Sequence, residues 1–269
     1  MKFRKYYKIF RVALIERLTY RSDFLLTSGL RLLPMVTTIL LWSAVFGMDY
    51  DKEIGNFRLR EMIAYLLLVH ISRMFSSMPG LAAGIALDIR EGTLKKYLLQ
   101  PLDMLSYLIT YRVAHKIAYI ATSFLPYAVL FFLCRDYFER FPDAPTLAAY
   151  VLSLVLAFVI GFYFEACIGM IGFWLLEVNS LLYIVNTLNF FISGQMFPID
   201  LLPRPVFRAL KFLPFQYMAY FPAAVFLGKI QGEALWNGLL GEAAWALGLL
   251  VLARILFHAG LRRYSAYGG

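Results

Sequence analysis

Long apolar runs are the feature that most constrains how this chain folds. A helix that crosses the hydrocarbon core of a bilayer needs about 20 mostly apolar residues. Runs of this kind lie at residues 24–46, 61–87, 105–133, 147–176, 180–197 and 235–258. The composition agrees, since 61% of the 269 residues are hydrophobic and only 16% are charged, whereas a soluble domain carries about 25% charged residues. We therefore predict an all-α integral membrane protein with about six transmembrane helices.

The distribution of Lys and Arg predicts that both termini are cytoplasmic. Seven of these residues precede the first run, and the first helix usually sets the orientation because segments rich in Lys and Arg stay on the cytoplasmic side. Over all loops and tails the margin is small, 12 on the predicted cytoplasmic side against 9 on the other. An even number of spans returns the C terminus to the cytoplasm.

Residues 1–22 form a basic segment ahead of the first run. An apolar stripe with helical spacing runs along it, made of Phe3, Tyr6, Tyr7, Phe10, Leu14 and Leu18. A basic amphipathic helix of this kind lies in the membrane interface, with its cations near anionic head groups. We predict a cytoplasmic interfacial helix here; the alternative is a first span that starts early.

The segment 88–102, DIREGTLKKYLLQPL, interrupts two apolar runs on the predicted cytoplasmic side. Thr93 suits the N-cap of a short helix, and Pro101 would end that helix. Leu94, Tyr97 and Leu98 would share one face of it. The segment is either a docking helix for a soluble partner or a solvated loop with one helical turn.

Four stretches of the sequence resemble the ABC type-2 transporter permease family, in a less characterised bacterial branch. They are EGTLKKYLLQPL (91–102), RLTYRSDF (17–24), SGQMFPIDLLPRPVFRALKFLPFQYM (193–218) and GLRRYSAYGG (260–269). In that family the first of them is the cytoplasmic coupling region that contacts the ATPase subunit. The resemblance therefore favours the docking helix over the solvated loop.

The resemblance implies a single permease domain over residues 1–269 that forms half of a dimeric transmembrane unit. It also implies a bacterial inner membrane, an export direction, a second permease chain, and a separate P-loop ATPase that binds ATP and Mg. By the same resemblance, the ATPase-contacting residues are Arg90, Glu91, Gly92, Thr93, Leu94, Lys95, Tyr97 and Leu98.

The positions of the glycines in this sequence do not match a P-loop, which is consistent with a separate ATPase. A P-loop reads G-x-x-x-x-G-K-[ST], because glycines let backbone amides cradle phosphates that the lysine also reaches. The one Gly-Lys pair is Gly228-Lys229, which is followed by Ile230, and Ala223 stands where the first glycine should be. The chain therefore does not bind ATP through this motif.

The connection at residues 198–234 is neither properly polar nor one apolar run. Five prolines forbid a continuous helix, and residues 215–228 are apolar but too few to cross a membrane. We predict a re-entrant or broken helical hairpin at the outer face, between spans five and six. The alternative is an amphipathic loop resting on the outer leaflet.

Several polar side chains fall inside predicted spans, where an ionised group is costly unless it is paired or hydrated. Arg73 and Glu165 are predicted to pair, either as a structural lock or as part of a substrate path. Asn186, Asn189 and Ser193 form a polar stripe on the fifth span, for hydrogen bonds between helices or as the wall of a pathway.

Glycines of the fourth span, Gly161, Gly169 and Gly172, are predicted to permit close helix packing. The three histidines lie on different spans without a metal-binding spacing, so no metal site is predicted. No catalytic constellation is present, and the basic charge reflects membrane topology and not nucleic-acid binding. The alternative to a transporter is a non-transporting membrane scaffold, or a membrane enzyme without a recognisable motif.

Overall fold

The computed structural model describes residues 2–19, 21–49, 51–138, 141–175 and 177–264. Met1 and Tyr20 of the predicted interfacial segment and residues 265–269 of the tail lie outside the described residues. The chain is 79% helical, which confirms the predominantly helical class. The α-helices are α1 (Lys2–Thr19), α2 (Arg21–Val45), α3 (Leu59–Ser76), α4 (Leu81–Arg90), α5 (Lys95–Leu98), α6 (Met104–Leu133), α7 (Ala144–Met170), α8 (Asn179–Ile192), α9 (Arg204–Lys211), α10 (Tyr220–Phe226) and α11 (Gly232–Arg263). A two-stranded antiparallel ribbon, β1 (Glu53–Ile54) and β2 (Phe57–Arg58), precedes α3.

Within the described residues, four helical stretches are long and apolar enough to cross a membrane. They are Leu59–Arg90, Met104–Leu133, Ala144–Phe173 and Gly232–Arg263. They coincide with the second, third, fourth and sixth apolar runs of the sequence. Two shorter apolar helices, Leu32–Val45 and Asn179–Ile192, correspond to the first and fifth runs.

The second predicted span is broken, where the sequence pattern predicted one continuous run at 61–87. α3 ends at Ser76 and α4 begins at Leu81. The intervening Pro79 has no amide proton to donate and disfavours a helical conformation at the residue before it. Gly80 then has a left-handed backbone with φ of 74°, which glycine adopts without steric cost.

The chain divides into two compact units. The first comprises Met1–Leu40 and Leu94–Asp136, and in it α1 packs along α6. Asp103 caps α6, because its carboxylate accepts a 2.8 Å hydrogen bond from the Ser106 amide. The Asp103 amide in turn contacts the Tyr6 hydroxyl of α1 at 3.4 Å.

The second unit comprises Leu41–Thr93 and Tyr137–Gly269. Its central helix is α7, which packs against α3, α4, α10 and α11. A Cβ atom added at Gly161 would lie 1.9 Å from the Ser76 carbonyl oxygen, and one added at Gly169 would lie 2.8 Å from the Ala82 carbonyl oxygen. Close packing through the glycines of this span is therefore confirmed.

The proline-rich connection 198–234 is folded into short helical pieces in the second unit. A 3-10 turn at Ile199–Leu201 is followed by α9, a second 3-10 helix at Pro214–Met218, and α10. The run Tyr220–Val225 is buried throughout. This connection contributes to the interior of the unit although it contains no long helix.

Candidate functional site: the coupling segment, the intramembrane polar groups and the proline-rich connection

The second-unit part of the coupling segment is a turn that closes α4. Gly92 has a left-handed φ of 71°, as is common just after a helix end. The Thr93 hydroxyl donates a 2.7 Å hydrogen bond to the Asp88 carboxylate. Thr93 was expected to cap a helix over 93–100. Its hydroxyl is instead bonded back to the last turn of α4, and the following helix α5 has only four residues.

The first-unit part of the segment presents an apolar and basic surface. Leu94 is fully buried, whereas Leu98 is 45% and Leu99 83% exposed. Lys95 and Lys96 are also exposed. The Tyr97 ring packs against Tyr107 of α6 with 5.4 Å between centroids. α6 therefore supports the segment, while Leu98, Leu99 and the two lysines stay exposed.

The two charged residues predicted to pair both lie in the second unit. Arg73 on α3 donates a 3.2 Å hydrogen bond from Nη1 to the Ser76 hydroxyl. Glu165 on α7 interacts electrostatically with the Arg73 guanidinium. Both side chains are partly buried. The helices that carry them, α3 and α7, pack against each other, and the pairing of Arg73 with Glu165 stays a prediction.

The polar stripe predicted on the fifth span is divided between two environments on α8. Asn189 is 5% exposed and Ser193 is fully buried, and the Ser193 hydroxyl donates a hydrogen bond to the Asn189 carbonyl oxygen at 2.5 Å. Asn186, in contrast, is exposed. The inner part of the stripe thus belongs to the packed interior, and Asn186 belongs to the outer surface of the unit.

Two hydrogen bonds from α3 fix irregular segments, one in the proline-rich connection 198–234 and one at Gly194, just after α8. The Ser76 hydroxyl donates to the Met218 carbonyl oxygen at 2.7 Å. The Tyr65 hydroxyl donates to the Gly194 carbonyl oxygen at 2.6 Å. Both hydroxyls are buried, and each satisfies a main-chain carbonyl of an irregular segment, which is costly to leave unpaired away from water.

Charged groups make further contacts at both ends of the connection. Lys229 forms a 2.8 Å ion pair with Glu61 at the start of α3. The Tyr220 hydroxyl donates a 2.9 Å hydrogen bond to the Asp200 carboxylate. Burial raises the pKa of Asp200 above its ordinary value of 3.8, and the hydrogen bond from Tyr220 opposes that rise.

Glu242 on α11 is a fully buried acid that was not among the residues predicted from the sequence. The signal was available, because an acidic residue inside the apolar run 235–258 is unusual in a membrane helix. The contribution of Tyr65 was not visible in the sequence, since its partner Gly194 is 129 residues away along the chain.

The comparison with protein families decides which class this arrangement belongs to. Residues 32–268 match the family model described as ABC-2 family transporter protein. The chain belongs to this family. The ABC-2 chain is thus a multi-pass membrane permease component of an ABC transporter. The matched range includes segment 88–102 and the proline-rich connection, while α1 precedes it. No curated protein sequence shows significant similarity to the chain.

Proposed function

We propose that this chain is the permease subunit of an ATP-driven ABC exporter in a bacterial inner membrane. The observation that carries the proposal is the match to the ABC-2 family over residues 32–268. A separate P-loop ATPase binds ATP and Mg, and residues 88–102 couple its motion to the spans. The export direction follows the resemblance of residues 91–102 and 193–218 to the family.

Six spans account for the helices of the chain. α2 has 25 residues and reaches about 37 Å at 1.5 Å per residue, more than the roughly 30 Å of a hydrocarbon core. α8 has 14 residues and reaches about 21 Å, a shortfall that local thinning of the bilayer accommodates. Together with the four long candidates they give an even number of crossings, with both termini in the cytoplasm.

A re-entrant course for residues 198–234 is supported by their contacts along α3. Met218 is bonded to Ser76 and Lys229 to Glu61. Ser76 lies fifteen residues beyond Glu61 on α3, about 22 Å along the helix axis. The chain therefore traverses most of a hydrocarbon thickness between Met218 and Lys229. Irregular backbone at that depth is tolerated because it is buried in protein.

The surface of the coupling segment suits a soluble partner. Leu98 and Leu99 are exposed apolar side chains beside the exposed cations Lys95 and Lys96. This combination offers buried apolar area together with charge complementarity to an acidic rim. Leu94, which is fully buried, supports the segment, and the leucines at 98 and 99 make the contact with the ATPase.

A second permease chain is supported by the outer surface of α8. Its exposed polar residues are Asn179, Ser180, Tyr183, Asn186 and Thr187. At 100° per residue they fall within an arc of about 120°, with Phe190 among them. Lipid tails disfavour such an arc, so we assign it to a polar pathway between two permease chains. Arg73 and Glu165 act as a structural lock that neutralises both charges.

Copurification tests this function. The chain is extracted in mild detergent, and ATP hydrolysis by the copurified proteins is measured. We expect a P-loop ATPase to copurify, and replacement of Leu98 and Leu99 by Asp to remove at least 90% of it. Phe212→Asp is the matched control, because Phe212 is 79% exposed and lies on the predicted outer side. If no ATPase copurifies with the wild type, the proposed function is wrong. If Leu98→Asp/Leu99→Asp retains it fully, the coupling surface is wrong.

A further inference from the structure

Glu242 is an acid enclosed between two helices of the second unit. It lies ten residues after the first residue of α11, about 15 Å along the helix, and its exposed fraction is 0%. The Ser153 hydroxyl of α7 donates a 3.2 Å hydrogen bond to its Oε1 atom. Its other oxygen, Oε2, is buried and has no hydrogen-bond partner among the described residues.

Among the elements packed against α11, the 3-10 helix at Pro214–Met218 carries Tyr217, whose hydroxyl lies against Gly241, and α7 carries a tyrosine and a cysteine. Tyr150 lies one turn before Ser153 on α7, is 6% exposed, and has a hydroxyl without a hydrogen-bond partner in the described part of the chain. Tyr217, in the 3-10 helix against α11, interacts electrostatically with Glu242. Further along α7, the Cys167 thiol contacts the Leu249 carbonyl oxygen.

The charged neighbours of Glu242 on α11 itself are remote. Glu233 precedes it by nine residues and Arg254 follows it by twelve, which is about 14 Å and 18 Å along the axis. The side chains of α7 and the 3-10 helix named above include no cation. With respect to the described residues, an ionised Glu242 would therefore be a buried charge without a nearby counter-ion, which is unfavourable in a low-dielectric interior.

Protonation of the Glu242 carboxyl would remove the uncompensated charge and give the unpaired Oε2 atom a proton to donate. A protonated carboxyl carries no charge, and its O–H group donates a hydrogen bond where a carboxylate can only accept. The Ser153 hydroxyl still donates to the carbonyl oxygen, and the Tyr217 hydroxyl, which lies against the neighbouring Gly241, can accept from the new O–H. The close packing of α7 against α11 therefore favours the neutral acid over the carboxylate.

We propose that Glu242 is a proton-binding site that holds α11 against α7 while protonated and releases the two helices when the proton leaves. On release, the carboxyl O–H bond breaks, water between the helices takes the proton, and a hydrated carboxylate remains. No oxidant, metal or nucleotide takes part in this step. Movement of α11 away from α7 is therefore linked to exchange of one proton with the medium.

Infrared difference spectroscopy on the full chain in detergent tests the protonation. Glu233→Gln, which replaces an exposed glutamate of the same helix, is the matched control for the difference spectrum. The wild type minus Glu242→Gln difference at pH 7 is expected to contain the C=O stretch of a carboxylic acid. Ser153→Ala is expected to shift that stretch without abolishing it. A Glu242→Gln difference that contains carboxylate bands and no acid stretch overturns the proposal.

The release step is tested separately by thermal unfolding between pH 7 and pH 10. Glu242→Gln keeps the shape and neutrality of the protonated acid and cannot ionise. We expect its Tm to match that of the wild type at pH 7 and to exceed it by a growing margin as the pH rises. The Glu233→Gln variant is expected to follow the wild type throughout. Parallel curves for wild type and Glu242→Gln overturn the release step.

Discussion

The Ser76 hydroxyl donates a 2.7 Å hydrogen bond to the Met218 carbonyl oxygen, across 142 residues of sequence. Ser76 is the last residue of α3, where the helix breaks, and Met218 is the last residue of a 3-10 helix in the proline-rich connection. The same hydroxyl accepts a hydrogen bond from Arg73. One serine therefore joins an interrupted helix, an intramembrane cation and the connection 198–234.

Ser76→Ala should destabilise the protein by about 1–3 kcal/mol, because it leaves the buried Met218 carbonyl oxygen without its donor. Ser72→Ala is the control. Ser72 is equally buried, but its hydroxyl bonds only to the Leu68 carbonyl oxygen within the same helix, an interaction that adds little. Thermal unfolding in detergent measures both. Equal losses for the two variants would contradict the role assigned to Ser76.

Gly161→Ala should prevent α7 from packing against the end of α3. The added Cβ would stand 1.9 Å from the Ser76 carbonyl oxygen, a backbone atom, so a helix must move, at a cost of several kcal/mol. Gly84→Ala on α4 is the matched control, since a Cβ there meets nothing within 4 Å and alanine favours a helix by about 1 kcal/mol. The yield and the Tm of the purified protein should fall for Gly161→Ala and should not fall for Gly84→Ala.

Asp200 should make stability depend on pH. Its folded-state pKa is raised by burial above the ordinary 3.8, so the folded protein holds this proton more tightly than the unfolded chain does. The contribution is complete below pH 3.8 and is lost as pH rises through the raised pKa. Asp200→Asn cannot titrate at this position, so the Tm of the variant minus the Tm of the wild type should increase between pH 4 and pH 8.

Tyr220→Phe distinguishes this titration from loss of the local hydrogen bond. It removes the donor to Asp200 and should destabilise the protein at neutral pH by about 1–3 kcal/mol. A Tm difference between wild type and Asp200→Asn that does not change with pH would show that Asp200 does not titrate in this window.

The six-span topology predicts which exposed positions a membrane-impermeant thiol reagent reaches in intact cells. Cys134 and Cys167 are both buried, so the wild type should give low background. Leu99→Cys should react with a membrane-impermeant maleimide only after the cells are opened, and Phe212→Cys should react in intact cells. Both positions are exposed. Reaction of Leu99→Cys in intact cells would place the coupling segment on the wrong side.

The sequence predicted the long helices because apolar runs of membrane length report directly on burial in lipid. It did not predict the break in the second span, although Pro79 and Gly80 are adjacent there, because the hydropathy of 61–87 stays high across them. It placed the proline-rich connection as irregular structure, but not its depth along α3. That depth depends on pairs such as Ser76 with Met218, which local patterns do not encode.

The candidate site was predictable in part for the same reason. Arg73 and Glu165 were visible as charges inside apolar runs, and their pairing stays a prediction. Leu94 was assigned to the contact surface by the family resemblance, yet it is fully buried. The short α5 and the Thr93–Asp88 hydrogen bond orient the segment differently from a regular helix over 93–100, which leaves Leu98 and Leu99 outside.

Site-specific photo-crosslinking in membranes tests most directly that this permease is coupled to an ATPase through residues 88–102. A photoreactive amino acid replaces Leu99 in one variant and Phe212 in a second, both of which are exposed. We expect position 99 to yield a crosslinked product containing a P-loop ATPase and position 212 to yield none. A product from position 212 together with none from position 99 would contradict this expectation.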